Sequence, residues 1–363
     1  MIYPFLHTPC AIVDLDIAER NIRAMAEGAA RCGIRHRPHI KTHKSVYFAK
    51  KQLEAGAAGI TCAKLAEAER MAAAGFDDIF VAYPLIGRDK LERFDALDGR
   101  IGISCAINSL AGARGLSDFA RERGKRYRVF IEVDGRMGRG GLPPFEPTAE
   151  FAAEARKLPG IAIAGLMYFG GDVYGLRGED EIRRRIILEA DDLARTKELV
   201  ERAGVPVEWV SAGSSFSSKS PELLSGIDEI RAGTYVFNDC SQLSIGRIGV
   251  GDCALRILST VVAKPDACHA IIDAGSKTLT SDLVPFRRGH GWIVGHEGAI
   301  IDHLSEEHGF VSSDAPIELE IGDRIEIIPN HACVAVNLCD ALRGVRGGRL
   351  EADIPVEARG LNY

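Results

Sequence analysis

None of the nine cysteines stands in a Cys-x-x-Cys pair; they are scattered at 10, 32, 62, 105, 240, 253, 268, 333 and 339 of a 363-residue chain. That spacing excludes a small disulfide scaffold and the usual redox and zinc-ribbon signatures. Most of these thiols are expected to be small buried apolar groups. No apolar run approaches the ~18 residues that a membrane helix needs, so no membrane partner is expected. Basic charge is not in excess: Lys+Arg 45 against Asp+Glu 51 leaves a formal net charge of −6. A nucleic-acid partner is therefore not expected. The opening MIYPFLHTPCAIVDLD has no basic stretch ahead of an apolar core, so a secretory signal is not expected and a reducing cytoplasm is. With 46% hydrophobic and 26% charged residues the composition is that of a globular chain, long enough for two domains or one large barrel with an addition.

What is present is a repeat of pattern. Short apolar runs begin near Ile34, Gly59, Asp78, Ile101, Tyr127, Ile161, Pro206 and Glu229. Amphipathic stretches such as Ala63–Ala74, Pro147–Lys157 and Glu181–Ala203 lie between them. Eight strands alternating with helices predict a TIM-type (β/α)8 barrel; an open doubly wound sheet is the rival. The pattern changes after about residue 245. The runs LRILSTVVAK, AIIDAG and DRIEIIPN, with Gly-rich turns and no long helix, predict a mainly-β domain. The expected boundaries are 1–248 for the barrel and 249–363 for the β domain, with AIVDLD able to join either.

The segment Arg37-Pro38-His39-Ile40-Lys41-Thr42-His43-Lys44 ends the first barrel strand. Alternation puts His39, Lys41 and His43 on one face and Ile40 on the other. Lys41 would then face the C-terminal mouth, either as a desolvated nucleophilic amine or as a snorkelling strand-end lysine. Gly213-Ser214-Ser215 and Gly233-Thr234-Tyr235 follow the seventh and eighth strands. Barrels commonly bind phosphate there through backbone amides, although each turn alone is also an ordinary structural one. His331 and Cys333 stand at i and i+2, which on an extended segment share one face and suit zinc. Glu132 and Asp134 share a strand face, but on one strand, which does not suit the paired carboxylates of a glycosidase.

The lysine segment resembles the cofactor-lysine motif of fold-type III pyridoxal phosphate enzymes, in the D-threonine aldolase / D-serine dehydratase family. Further similar segments follow in order: EVDGRMGRGGL (132–142), VSAGSS (210–215), EIRAGTYVFND (229–239), DAGSKTLTSD (273–282), SEEHG (305–309) and PNHACVAVNL (329–338). Seven in order span nearly the whole chain. The resemblance implies an alanine racemase-like barrel followed by a β domain, and a homodimer. It implies that Lys41 forms the Schiff base with pyridoxal 5′-phosphate and is a candidate α-proton base. His39, Arg139, the two Gly/Ser/Thr loops and Tyr235 would bind the cofactor, Arg139 beside its phenolate oxygen. His331 and Cys333 would hold a divalent ion, zinc first, with manganese and magnesium as alternatives. Two positions depart from the family: Arg136 stands where Gly is common, and Val334 where Pro is. No role for His308 follows from the sequence.

The implied substrate is a D-β-hydroxy amino acid. A racemase needs two opposed bases and no metal, so the His/Cys pair favours a lyase over a racemase. Within the family His-x-Cys resembles the D-serine and 3-hydroxyaspartate dehydratases and His-x-Asp the D-threonine aldolases, so dehydration is expected and retro-aldol cleavage is the alternative. A pyridoxal phosphate carrier protein, the non-enzymatic alternative, would lack residues 250–363.

Overall fold

The computed structural model describes residues 2–363. The chain forms two compact units. One comprises Met1–Arg23, Thr42–Phe48 and Thr234–Gly360, the other Ala24–Lys41, Ala49–Gly233 and Leu361–Tyr363.

After β1 (Cys10–Asp14), the strands β2 (Arg35–His36), β3 (Ile60–Cys62), β4 (Asp78–Pro84), β5 (Gly102–Ile107), β6 (Tyr127–Val133), β7 (Ile161–Tyr168), β8 (Trp209–Ala212) and β9 (Glu229–Ile230) build one parallel sheet. Its order is β2-β9-β8-β7-β6-β5-β4-β3. A parallel bridge between His39 and Thr61 joins the two ends and closes the barrel. The eight strands are those predicted by the apolar runs. The expected helices are there too, as Leu65–Ala73, Glu146–Ala155 and Glu179–Arg202.

The barrel interior is apolar on one side, where Phe80, Ala106, Phe130, Ala164 and Met167 pack together. Elsewhere it is a buried polar network. Arg37 Nε donates to Glu229 at 2.8 Å, and its two Nη atoms donate to both carboxylate oxygens of Asp78 at 2.7 and 2.9 Å. Ser211 Oγ donates to the other Glu229 oxygen, and Arg231 Nε donates to Ser211 Oγ. Arg231 is buried enough to be pushed down to about 10, against the opposing charge of Glu229.

The other unit is the mainly-β one. It contains β10 (Leu255–Asp266), β11 (His269–Ile272), β12 (Trp292–Ile293), β13 (Ala299–Leu304), β14 (Gly309–Ser313), β15 (Arg324–Ile328), β16 (Ala341–Arg346) and β17 (Arg349–Pro355). The sheet runs β13-β14-β11-β10-β1-β16-β17, with β15 pairing β10 and β12. Thus β1 joins this sheet, antiparallel to β10 and parallel to β16. Its Ile12 packs with Leu6, Leu258 and Val345.

Removing one partner of a buried ion pair leaves an uncompensated charge, which costs about 3–5 kcal/mol. Arg37→Met strands Glu229 and should lower unfolding stability by about that amount. Chemical denaturation reads it; a loss within error of zero would mean that the network does not hold the barrel.

Candidate active site

The lysine segment does not continue as a strand. Ile40–Thr42 forms a 3-10 turn, so the alternation expected for His39, Lys41 and His43 does not apply. The turn still separates their neighbours, since Ile40 is buried and Lys41 is half-buried. His39 Nδ1 accepts from the Lys41 amide at 3.5 Å, and the His39 amide donates to Ala232 O at 2.9 Å. His43 is buried among its neighbours, where its Nδ1 accepts from Ser45 N and its ring lies 5.8 Å from Phe48.

Two cations meet one ring. Lys41 Nζ lies 5.6 Å from the centroid of Phe169, and the Arg139 guanidinium lies 5.1 Å from it. Phe169 follows β7, and Gly135 makes its placement possible, because a Cβ at Gly135 would stand 1.8 Å from Phe169 O. Arg139 lines a cleft with Glu132, Asp134, Met137 and Phe169. Asp134 shapes that loop by accepting from the amides of Met137 and Gly138, and Glu132 accepts from Asn108 Nδ2. Arg136 holds a left-handed φ of 62°, a conformation that glycine takes without strain. Its guanidinium is tied to the buried Asp192 at 2.5 Å.

In the expected phosphate loop, two amides already have partners. Gly213 N donates to Glu189 at 3.1 Å and Ser214 N donates to Ser217 Oγ at 2.9 Å. Gly213 sits at φ 80° with no room for a Cβ, which would meet Ser218 Oγ at 2.7 Å. Ser218 Oγ is buried without a hydrogen-bond partner. Gly233 N reaches Ser215 Oγ at 3.3 Å. The cradle is small, buried and rich in hydroxyls, so it fits a phosphate. Glu189, from the helix Glu179–Arg202, was indistinguishable in the sequence from a solvated helix residue. Burial pushes it up to about 7, opposed by the Gly213 N–H and the Arg185 charge.

His331 and Cys333 do not lie on a strand. His331 caps the short helix Ala332–Asn337, and Cys333 is in its first turn. That turn, rather than period-two alternation, brings the imidazole and thiol within hydrogen-bond reach. The buried Asp239 carboxylate fixes the turn by accepting from Ala332 N at 2.9 Å. Thr42 Oγ1 and Thr234 Oγ1 lie 3.3 and 3.7 Å from Cys333 Sγ. His331 Nδ1 is 2.8 Å from Asp282 Oδ2. Burial alone would lower His331, but the hydrogen bond and charge of Cys333, with Asp239 and Asp282, lift it to about 10. An imidazole nitrogen beside a thiol sulfur is a donor set that fits a zinc-type ion. Among the described residues no group of three or more His, Cys, Asp and Glu is arranged to hold one. Thr234 is half-buried and Tyr235 is buried in the 3-10 turn Thr234–Val236. His308 is exposed in the turn between β13 and β14, where Ser305 N donates to its carbonyl.

A closed parallel barrel whose first strand ends in this lysine turn, in a chain that also carries a mainly-β unit, has the architecture of the fold-type III pyridoxal phosphate enzymes. Comparison with known proteins agrees. Residues 13–240 match the family "Alanine racemase, N-terminal domain", and residues 254–345 match "Putative serine dehydratase domain". The chain is 32% identical to D-threo-3-hydroxyaspartate dehydratase of Delftia sp. over 90% of this chain and 91% of that one. The solved Delftia structure superposes with a TM-score of 0.91, covering 98% of each chain. A cysteine-to-alanine variant of such a dehydratase, 29% identical, with a TM-score of 0.90 and 98% of each chain covered, was solved in a metal-free form. Equal identity, 32%, links the chain to 3-hydroxy-D-aspartate aldolase of Paracoccus denitrificans over 99% of this chain and 93% of that one. The structure of D-threonine aldolase from Filomicrobium marinum is 29% identical, with a TM-score of 0.90 and coverage of 99% and 97%. The chain belongs to the D-threonine aldolase / D-serine dehydratase family, with an alanine racemase-like N-terminal domain.

Glu189 generates a pH prediction. Its native pKa lies above its unfolded value of 4.5, so the neutral form is favoured and stability falls as pH rises from about 4.5 through about 7. Glu189→Gln stays neutral. Thermal unfolding should therefore show the variant gaining on wild type across that window, by up to about 3 kcal/mol. A constant difference from pH 4 to 8 would remove Glu189 as the titrating group.

Proposed function

We propose that this chain is a pyridoxal phosphate- and divalent-metal-dependent lyase of D-3-hydroxy amino acids, acting by dehydration and deamination. The observation that carries a metal-assisted reaction is the pairing of His331 with Cys333 at the head of one helix. A racemase has no use for that pair.

Each residue then has a task. The Lys41 amine would hold the cofactor and move the proton at the substrate Cα. Pyridoxal phosphate supplies an electron sink for the bond that breaks. Arg139 would place positive charge beside the ring oxygen, and both cations lie within 6 Å of the Phe169 ring centroid, at 5.6 and 5.1 Å. Gly213, Ser214, Ser215, Gly233 and Thr234 would receive the phosphate; with Gly213 N engaged by Glu189, the serine and threonine hydroxyls are the donors to test first. His39 holds the turn that carries Lys41, and Tyr235 would line the cofactor site. His331 and Cys333 would hold the ion, whose chemistry there would be to acidify a β-hydroxyl or to make it a better leaving group. The thiolate donor favours zinc over magnesium or manganese. By family resemblance the enzyme would be a homodimer, and its scattered cysteines suit a reducing cytoplasm; the domains expected at 1–248 and 249–363 would exchange β1, which pairs with β10 in the mainly-β unit. Among the described residues, no helix is long and apolar enough to cross a membrane.

Retro-aldol cleavage is the second reading, since an aldolase and a dehydratase match this chain at the same identity. D-threonine separates the two, with L-threonine as control. Dehydration should give 2-oxobutyrate and ammonia; glycine and acetaldehyde would establish the aldolase instead. Borohydride treatment of the holoenzyme, followed by peptide mass spectrometry, should place the reduced cofactor on Lys41; label on any other lysine rejects the assignment. Exhaustive chelation should abolish turnover, and a divalent ion should restore it. Full activity without metal would remove the task given to His331 and Cys333.

A further inference from the structure

The segment ending in Asp282 is one of the similar segments that the chemistry above leaves without a task. Asp282 belongs to an exposed loop in which Leu283 and Phe286 are also exposed, yet its own position is fixed. Asn330, buried and immediately before His331, donates through Nδ2 to Asp282 O at 2.9 Å and to Gly289 O at 2.8 Å. Asp282 N donates to Thr280 Oγ1, on a residue held at φ 71°. The loop is thus tied at both ends to the residue next to the histidine, and the Asp282 carboxylate meets His331 Nδ1.

An ionised carboxylate can only accept, so Nδ1 must donate and carry the ring proton. When an ion is bound, Nε2 is then the nitrogen that gives up its proton and offers its lone pair in a fixed direction. On the other side, the Thr42 hydroxyl stands 3.3 Å from Cys333 Sγ and can donate to a thiolate. Asp282 spends its contact on the ring nitrogen His331 Nδ1, so it serves as a partner of the histidine and not as a third ligand.

Resting on the metal assignment above, we propose that Asp282 and Thr42 are positioning residues for the ion: Asp282 fixes the His331 tautomer and Thr42 tempers the Cys333 thiolate. Partners of this kind usually change metal affinity 10- to 100-fold when removed. Thr42 directly follows Lys41 in the chain, so one short turn carries both the cofactor amine and a contact to the metal sulfur.

The test is a metal-binding measurement on full-length protein loaded with pyridoxal phosphate. Zinc affinity is read by competition with a chromophoric chelator, and cobalt(II) reports the ligand field and the sulfur charge-transfer band. Asp282→Asn should weaken zinc roughly 10- to 100-fold while keeping the charge-transfer band, because Cys333 still binds. Asp282→Glu should recover part of the loss. Thr42→Val should shift the charge-transfer band. Unchanged affinity in Asp282→Asn with an unshifted band in Thr42→Val would overturn the proposal while leaving the metal pair intact. If wild type and His331→Ala bind zinc equally, the metal assignment itself fails. Thermal unfolding of each variant separates these outcomes from misfolding.

Discussion

The barrel is thinnest in backbone hydrogen bonds where Lys41 leaves it. There β2 and β9 contribute two residues each, and the contact of the first strand with β3 is a single bridge at His39. Side chains make up the deficit. Arg37 grips Glu229 on β9 and, in the other direction, Asp78 at the start of β4. It passes under Gly59, where a Cβ would stand 2.4 Å from Nη1. One guanidinium therefore closes the cylinder across a weak seam, four residues before Lys41. Arg is suited to this because its planar fork serves two carboxylates at once and does not lose its proton. Ser211 and Arg231 extend the same network along the strands whose loops form the expected phosphate cradle.

Much of this was legible in the sequence, and for a definite reason. A buried parallel strand must be apolar over several residues, and helices must carry one apolar stripe, so the eight βα units stand out by period. The β1 pairing was left open because a short apolar run carries no information about its partner. Two local geometries were misread. Residues 40–42 form one tight turn, too short to show any period. The run ACVAVN carries β-branched residues yet is helical, because Asp239, almost a hundred residues earlier, accepts the Ala332 amide and starts the turn. Tertiary hydrogen bonds override propensity in such short elements.

The site residues divide the same way. Lys41, Arg139, His331 and Cys333 were visible because their chemistry is rare and their segments are distinctive. Phe169 was visible only as an aromatic at a strand end, and nothing in its sequence neighbourhood announced two cations. Glu189 and Asp282 looked like any solvated acid. Their importance comes from what the fold brings to them: a loop amide in one case, an imidazole in the other.

The Arg136–Asp192 pair ties the arginine loop to the helix Glu179–Arg202. Where glycine would hold the left-handed bend through its own backbone freedom, this chain holds a side-chain-bearing residue there with an ion pair whose carboxylate is buried. Charges 2.5 Å apart lie well inside the ~8 Å range of physiological screening, so dissolved salt hardly weakens that contact. The loop that carries Arg139 is thereby anchored through a side chain as well as through its backbone, by the same helix that sends Glu189 to the Gly213 amide.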